Sequence, residues 1–343
     1  MIDTHRMLPQ SWRGWAVLAA GAAVLAALPF FATSYYVGLA TTAMIAAMLA
    51  LAVHLLVGAT GLVTLGHGAF YGLAAYVVYL VSPEGTALPM WQTLPAAMAV
   101  AGLAALAVGS LSLRTRGFFF LMVTLAFGQM LFFVFHDTKL GGGTDGAYLA
   151  KPLIAAFGLE LSPASFPRAR RAWPAYYVAL VQLAATYLIL ALLLRSMLGR
   201  VLEGIKVNEQ RMRAMGFNTY RYKLAAFTIG GILAGAAGHM WSLHTGFVNP
   251  ELVAWQKSAE PLLIILLGGI GSLTGAVVGA FALYGLGEVA QLVTERKLLV
   301  EGLVILGVVV LLRNGLTGIR LLRLRRGAAS APEEPPSEAR AHG

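Results

Sequence analysis

The sequence predicts an all-α fold, a polytopic helical bundle of about ten membrane elements that include short or broken helices. Composition is the first ground: 58% of the residues are hydrophobic, 12% are charged and the mean hydropathy is +0.74. A soluble domain of 343 residues could not cover that much apolar surface, so much of it must face lipid. The second ground is the recurrence of apolar stretches near the length of about 20 residues that crosses a bilayer as helix. The third is the placing of charge. Most Lys and Arg residues flank the apolar stretches, which is the distribution of topology signals; the net charge of +10 therefore does not indicate nucleic acid. Cysteine is absent, which removes disulfides, thiolate metal sites and cysteine nucleophiles.

In chain order the candidate elements are 15–32, 35–57, 68–81, 91–113, 118–135, 175–194, 224–243, 261–271, 273–292 and 298–312. The third and eighth are too short for ordinary spans. The first lacks a clear small-x-small cleavage site and is followed almost at once by the second, so it reads as an uncleaved helix rather than a signal peptide. With the N-terminus (1–14, carrying Arg6 and Arg13) in the cytoplasm, alternation puts Arg114, Arg116 and the segment 195–223 inside. Ten elements also bring Arg313, Arg320, Arg323, Arg325 and Arg326 inside. The loop after the fifth element falls outside despite Lys151, Arg168, Arg170 and Arg171; long loops weigh less in the rule. The expected organisation is one membrane domain, 15–326, followed by a disordered tail, 327–343, with almost nothing apolar to bury.

Three glycine-rich runs, at 58–68, 141–146 and 268–275, interrupt what could have been plain helices. A helix broken inside a bilayer is tolerated only where protein or a water-filled cavity satisfies the freed backbone groups, so such breaks are candidates for lining a path. The first and third runs share Gly-x-x-Thr/Ser-Leu, followed later by Gly68-Ala69-Phe70 and Gly279-Ala280-Phe281. Paired interruptions of this kind are what an internal repeat in a transporter would leave.

The segment 195–223 carries seven Lys/Arg against Glu203 and Glu209 and must lie in water. It is too short for a domain. Its length suits one or two short helices with a turn at Gly216-Phe217-Asn218, where Gly stops a helix and Asn tolerates the left-handed conformation. Such a hairpin is most simply an offer to a cytoplasmic partner.

Several motifs, in this order and spacing, resemble the LivM-type permease subunits of bacterial branched-chain amino acid ABC importers. They are Gly61-Leu-Val-Thr-Leu-Gly-His67 with Gly-Ala-Phe-Tyr-Gly72, Arg114-Thr-Arg-Gly117 leading into Val123-Thr-Leu-Ala-Phe-Gly128, and Gly142-Gly-Thr-Asp-Gly146. Further on come Gly199-Arg200, Asn208-Glu209 and Gly216, then Gly246-Phe-Val-Asn-Pro250 and Leu267-Gly-Gly-Ile-Gly-Ser272. The resemblance implies half of a membrane channel in the bacterial inner membrane, with a homologous LivH-type permease subunit, two ATPase subunits and a periplasmic binding protein as partners. It makes the basic loop, with Arg200, Glu209 and Gly216, the element that docks on the ATPase. Two departures stand out: Gln210, Arg211 and Met212 replace the small residues relatives have after the acid, and Arg313-Asn-Gly-Leu316 replaces Arg-Pro-x-Gly-Leu. No Gly-Lys dipeptide occurs, so there is no phosphate cradle, and ATP is expected on partner chains with no cofactor on this one.

The substrate-path candidates are Thr64, Gly66, His67, Gly271 and Ser272. His67 either faces the path or has its nitrogens satisfied by backbone groups freed at the break; Thr64 either contacts substrate or caps the broken helix. His54 and His239 read as packing residues with one hydrogen bond each. In the outer loop Gly143, Thr144 and Asp145 read as structural, Asp145 as an Asx-type turn residue. An intramembrane enzyme is disfavoured because no His-x-x-Glu-His, paired aspartates or Ser-Lys pair stands in the apolar stretches. An ion-coupled carrier is the better rival; against it, the ten stretches contain no Asp, Lys or Arg and only two acids, Glu288 and Glu301, each near one end. Leucine, isoleucine and valine are the substrates the resemblance implies. Urea or short amides are the alternative.

Overall fold

The computed structural model describes residues 12–82, 88–138, 140–149, 155–156, 159–160 and 172–293, and in the last stretch 299–300, 302–303 and 306–307. Its helices are α1 (Trp12–Phe31), α2 (Ser34–His54), α3 (His67–Val81), α4 (Met90–Ser112), α5 (Phe118–Asp137), α6 (Trp173–Arg195), α7 (Met197–Val207), α8 (Glu209–Ala214), α9 (Thr219–Thr245), α10 (Trp255–Gly268) and α11 (Leu273–Val293). A π-helical turn, Leu55–Thr60, continues α2. Four two-residue strands form two antiparallel pairs: β1 (Ala147–Tyr148) with β4 (Phe247–Val248), and β2 (Ala155–Ala156) with β3 (Leu159–Glu160). The fold is the predicted helical membrane bundle.

The first nine predicted elements each appear as a helix in place. The tenth, 298–312, lies largely outside the described residues, as do Arg6, Lys151, Arg168, Arg170, Arg171, the arginines from 313 onward and the tail. Among the described residues six helices are long and apolar enough to cross a membrane, the longest being Ser34–Thr60 and Thr219–Thr245. The two elements predicted to be short are short: α3 has 15 residues and α10 has 14. At 1.5 Å per residue they reach about 22 and 21 Å, against a hydrocarbon core of about 30 Å. One boundary needs correction. Helix α10 begins at Trp255 rather than at 261, so Lys257 and Glu260 belong to a membrane element.

Helix α2 is apolar on every side, and such a helix has to be central. From Ala43 to Leu56 every residue is buried. Helices α6, α9, α10 and α11 pack around it. Helix α9 in turn packs against both α3 and α4, which also touch each other. Lipid gives helices little hydrophobic reason to associate, so close approach through small residues supplies the contact. At Gly238 of α9 that approach is extreme, since a Cβ there would fall 1.9 Å from the Tyr71 carbonyl oxygen of α3.

Cross-helix contacts sort the helix ends onto two faces. On one face Lys206 Nζ donates to the Gly58 carbonyl (2.6 Å), Tyr220 donates to the Ser110 carbonyl (2.8 Å), and His54 Nε2 lies 2.9 Å from the Ile270 carbonyl. The C-terminal ends of α2, α4 and α10 therefore share the side of the basic loop. On the other face Tyr35 donates to Glu288 (2.8 Å), Tyr177 to the Ala26 carbonyl (3.2 Å), and β1 pairs with β4. These are the two faces that the predicted alternation requires.

Two measurements check this arrangement. Single cysteines placed in the cysteine-free chain at the exposed positions Thr144 and Gln210 are expected to react with an impermeant reagent from opposite sides; reaction of both from one side contradicts the two-face packing. Gly238→Ala is expected to force α9 from α3 and lower stability by about 1–3 kcal/mol, read as a drop in the melting temperature of the purified protein.

Candidate substrate path and coupling hairpin

The first glycine-rich run is a true break. After the π-turn, Gly61 adopts φ +72 and residues 61–66 carry no regular structure until α3 starts at His67. Several of the freed backbone groups find side-chain partners, as a break in a membrane requires. Thr60 Oγ1 accepts from the Leu62 amide (3.3 Å), Thr124 Oγ1 of α5 from the Leu65 amide (3.3 Å), Thr64 Oγ1 from the Gly66 amide (3.2 Å), and Ser258 Oγ of α10 from the Gly68 amide (3.0 Å). Gly61 and Val63 reach the surface, whereas Thr64, Gly66 and His67 are buried. Thr64 thus closes a local turn just before α3, whose N-cap, Gly66, has no side-chain cap.

The third run lies beside the first. His54 bridges them: its ring packs on Gly58 and its Nε2 meets the Ile270 carbonyl. Ser272 caps α11, with Oγ accepting from the Gly275 amide at 3.1 Å; Gly271 is exposed and Ser272 half-buried. A cavity of about 230 Å³ opens between α3, α4 and α5, lined by Gly66, Phe70, Val108, Thr124 and Gly128 among others. Of the predicted path residues only Gly66 lines it. His67 is fully buried, edge-on to Phe70 and Phe227, and neither ring nitrogen has a hydrogen-bond partner. Backbone groups freed at the break are therefore spent elsewhere than on His67. His54 and His239 make one hydrogen bond each, His239 with Thr93 Oγ1 at 2.9 Å.

The second run forms a turn at the opposite face. Gly143–Asp145 is a single 3-10 turn closed by the Gly146 amide on the Gly143 carbonyl (3.3 Å), and Thr144 and Asp145 are exposed. It leads directly into β1, whose partner β4 lies in the Gly246–Pro250 motif. Two motifs a hundred residues apart in sequence are thus one structure.

The basic loop folds as predicted into two short helices, α7 and α8. Val201, Leu202 and Ile205 of α7 face the bundle, while Arg200 is exposed. Asn208 caps α8, its side chain accepting from the Arg211 amide at 2.9 Å. Gly216, at φ +88, closes α8: its amide donates to the Arg213 carbonyl (2.9 Å) and the Phe217 amide to the Met212 carbonyl (3.1 Å), a Schellman arrangement. Asn218 departs from expectation. It is not left-handed (φ −79) but caps α9, accepting from the Arg221 amide at 3.2 Å. Glu209 is not a freely exposed acid either. Its carboxylate takes Arg213 (2.6 Å) and Thr219 (3.0 Å) on one oxygen and Lys223 (2.7 Å) on the other, tying α8 to α9. Partial burial pushes its pKa upward, but Lys223, Thr219 and Arg213 outweigh burial and hold it down at about 2. Lys206 leaves α7 for the break, reaching the Gly58 carbonyl; burial lowers its pKa against the opposing pull of Glu203.

A charged cluster escaped the sequence reading. Lys257 Nζ lies 2.7 Å from Glu260 Oε2, Tyr284 of α11 donates to Glu260 Oε1 (2.7 Å), and the ammonium stands 5.2 Å from the ring centres of both Tyr71 and Trp241. The signal was present as Lys257-x-x-Glu260, one helical turn apart, but an apolar window stops at charges. Among the described residues no group of three His, Asp or Glu side chains is placed to hold a metal ion.

The hairpin yields two expectations. Gly216→Val is expected to cost about 1–2 kcal/mol through its left-handed backbone alone, since nothing lies within 4 Å of an added Cβ, and Gly216→Asn to recover most of that. The Glu209 contribution is expected to be fully present above pH 4.5, its ordinary value, and to vanish as pH falls through about 2, because its pKa is depressed in the folded state. The gap in melting temperature between wild type and Glu209→Gln should therefore be constant above pH 5 and close on acidification.

Residues 35–311 match the family described as branched-chain amino acid transport system / permease component. The chain is 32% identical over 326 residues to the high-affinity branched-chain amino acid transport system permease protein LivM of Escherichia coli K12, covering 90% of this chain and 76% of that one. It is 31% identical over 266 residues to the autoinducer 2 import system permease protein LsrC of Enterobacter sp. strain 638, covering 73% and 71%. To the LivH permease protein of E. coli K12 it is 29% identical over 126 residues, 36% of this chain and 40% of that one. No solved structure matches. Nearly the whole bundle, both breaks and the hairpin fall inside the matched region, and the chain belongs to the branched-chain amino acid transport permease family.

Proposed function

We propose that this chain is one of two permease subunits of an ATP-driven importer that carries branched-chain amino acids inward across the bacterial inner membrane. The observation that carries the reading is the joining of a rigid, capped hairpin to the first break. Helices α7 and α8 are fixed by the Asn208 cap, the Gly216 turn and the Glu209 ion pairs, and Lys206 links them to Gly58. A hairpin of that build can receive force from a cytoplasmic ATPase and deliver it to an unwound segment of the bundle. The positive-inside rule supports placing it in the cytoplasm.

The homologous second permease is supported by the partial likeness to LivH, and the ATPase subunits by the missing phosphate cradle. A periplasmic binding protein completes the proposed set. In this reading the path runs by Thr64, Gly66 and His67 at the first break and by Gly271 and Ser272 at the second, and it opens when the breaks move. Lys257 and Glu260 remove one argument against an ion-coupled carrier, that of missing charge at membrane depth; the family membership now supports the importer instead. The permease likeness to LsrC marks a family with more than one cargo, and urea or short amides remain the second reading for substrate.

The test is uptake of labelled leucine, isoleucine, valine, urea and a short amide in cells lacking this chain and in cells complemented with it. Branched-chain amino acid uptake is expected to depend on the chain and on an intact partner ATPase. Uptake of urea alone, or transport by the purified chain without partners, would contradict the proposal.

A further inference from the structure

We propose that Lys257 and Glu260 form a charge-exchange site for the zwitterionic head of an α-amino acid: the substrate carboxylate takes the place of Glu260 at the Lys257 ammonium, while its ammonium takes the place of Lys257 at the Glu260 carboxylate. The inference rests on the amino acid importer reading and names the residues that would recognise its substrate class.

Depth is the first support. Glu260 lies about 12 Å along α10 from Gly268, and Tyr284 about 17 Å along α11 from Leu273, at 1.5 Å per residue. Both therefore sit near mid-height of their helices rather than at an end. Ionisable groups at membrane depth are costly, and a buried ion pair contributes little stability that apolar side chains of similar volume could not supply. Packing alone therefore does not call for this pair. The pair is not sealed in the core, with side-chain exposures of 15% for Lys257 and 23% for Glu260.

The surroundings suit a zwitterion. The Lys257 ammonium faces the rings of Tyr71 and Trp241, and a substrate ammonium in the same place would find those aromatic faces as well as Glu260. Tyr284 already orients the carboxylate. Tyr71 is fully buried and its hydroxyl has no partner, yet it lies within electrostatic range of both Glu260 and Tyr284. An orphaned hydroxyl there is a hydrogen bond in reserve for a third group. Exchange converts one internal ion pair into two intermolecular ones and leaves no charge unpaired at either stage. A neutral amide offers no such exchange.

The site is also tied to the break. Ser258, next to Lys257, accepts the amide hydrogen of Gly68 in the first turn of α3. Opening of the pair would be felt at the start of α3, just past residues 61–66.

The experiment uses the complete importer in proteoliposomes, with both permeases, the ATPase subunits and the binding protein, and reads uptake of labelled leucine. Singly substituted Lys257→Met and Glu260→Gln each leave one charge unpaired and are expected to assemble poorly. The double variant Lys257→Met with Glu260→Met leaves none. It is expected to co-purify with its partners at wild-type yield but to import leucine at least 10-fold more slowly. Tyr71→Phe, which removes only the orphaned hydroxyl, is expected to assemble normally and lose about 3-fold or more in uptake. Wild-type uptake by the double variant or by Tyr71→Phe would overturn the inference and leave the importer reading intact. Failure of the wild-type complex to import any α-amino acid would instead overturn the importer reading.

Discussion

A single lysine joins the water-exposed hairpin to the interior of the bundle. Lys206 sends its ammonium from α7 to the Gly58 carbonyl, in the π-turn where α2 stops being an α-helix. A π-turn shifts the i→i−4 ladder and leaves carbonyls in need of donors. A charge-assisted hydrogen bond to such a group contributes about 1.5–3 kcal/mol. Without it the end of the central helix would present an unsatisfied acceptor, and the hairpin would keep its apolar contacts and the Glu209 ties to α9 but no polar link to the break. Around this contact the rest is arranged: Gly58 supports the ring of His54, His54 reaches Ile270, and Ile270 belongs to the second break.

The two breaks have the same plan. In each, a helix descends to the hairpin face, regular structure stops at a glycine-rich run, and a second helix rises: α2 and α3 at the first, α10 and α11 at the second. Their lengths are complementary, since the first pair is long then short and the second short then long. The side chains that satisfy the first break come from α5 and α10 as well as from the break itself. Relative movement of those helices therefore changes the hydrogen bonding of the break directly. The central α2, buried throughout from Ala43 to its end, is the fixed element against which such movement takes place.

Much of this was legible in the sequence because lipid imposes simple rules. Apolar length located nine helices, and the short third and eighth elements stayed short. Gly216 announced a left-handed stop, and the hairpin followed from seven cations that cannot enter a membrane. What the sequence hid were partnerships between distant residues. Glu209 reads as a residue of the docking loop, and nothing in the sequence shows that Lys223, fourteen residues on, folds back upon it. Asn218 was credited with a left-handed turn that Gly216 had already made, and it caps the next helix instead. Lys257 and Glu260 were lost to an apolar window that treats charge as the end of a helix, although each neutralises the other one turn apart. His67 shows the opposite case, a residue conspicuous in the sequence that the fold buries without a hydrogen bond.

The central claim is that the hairpin acts on the first break through Lys206. It is tested most directly by the number of leucine molecules moved per ATP hydrolysed in the reconstituted importer, compared among wild type, Lys206→Arg and Lys206→Met. Methionine keeps the apolar stem but not the donor. The account predicts that Lys206→Met assembles with its ATPase and still hydrolyses ATP while the ratio falls at least 10-fold, and that Lys206→Arg retains most of it. A wild-type ratio in Lys206→Met would contradict the account.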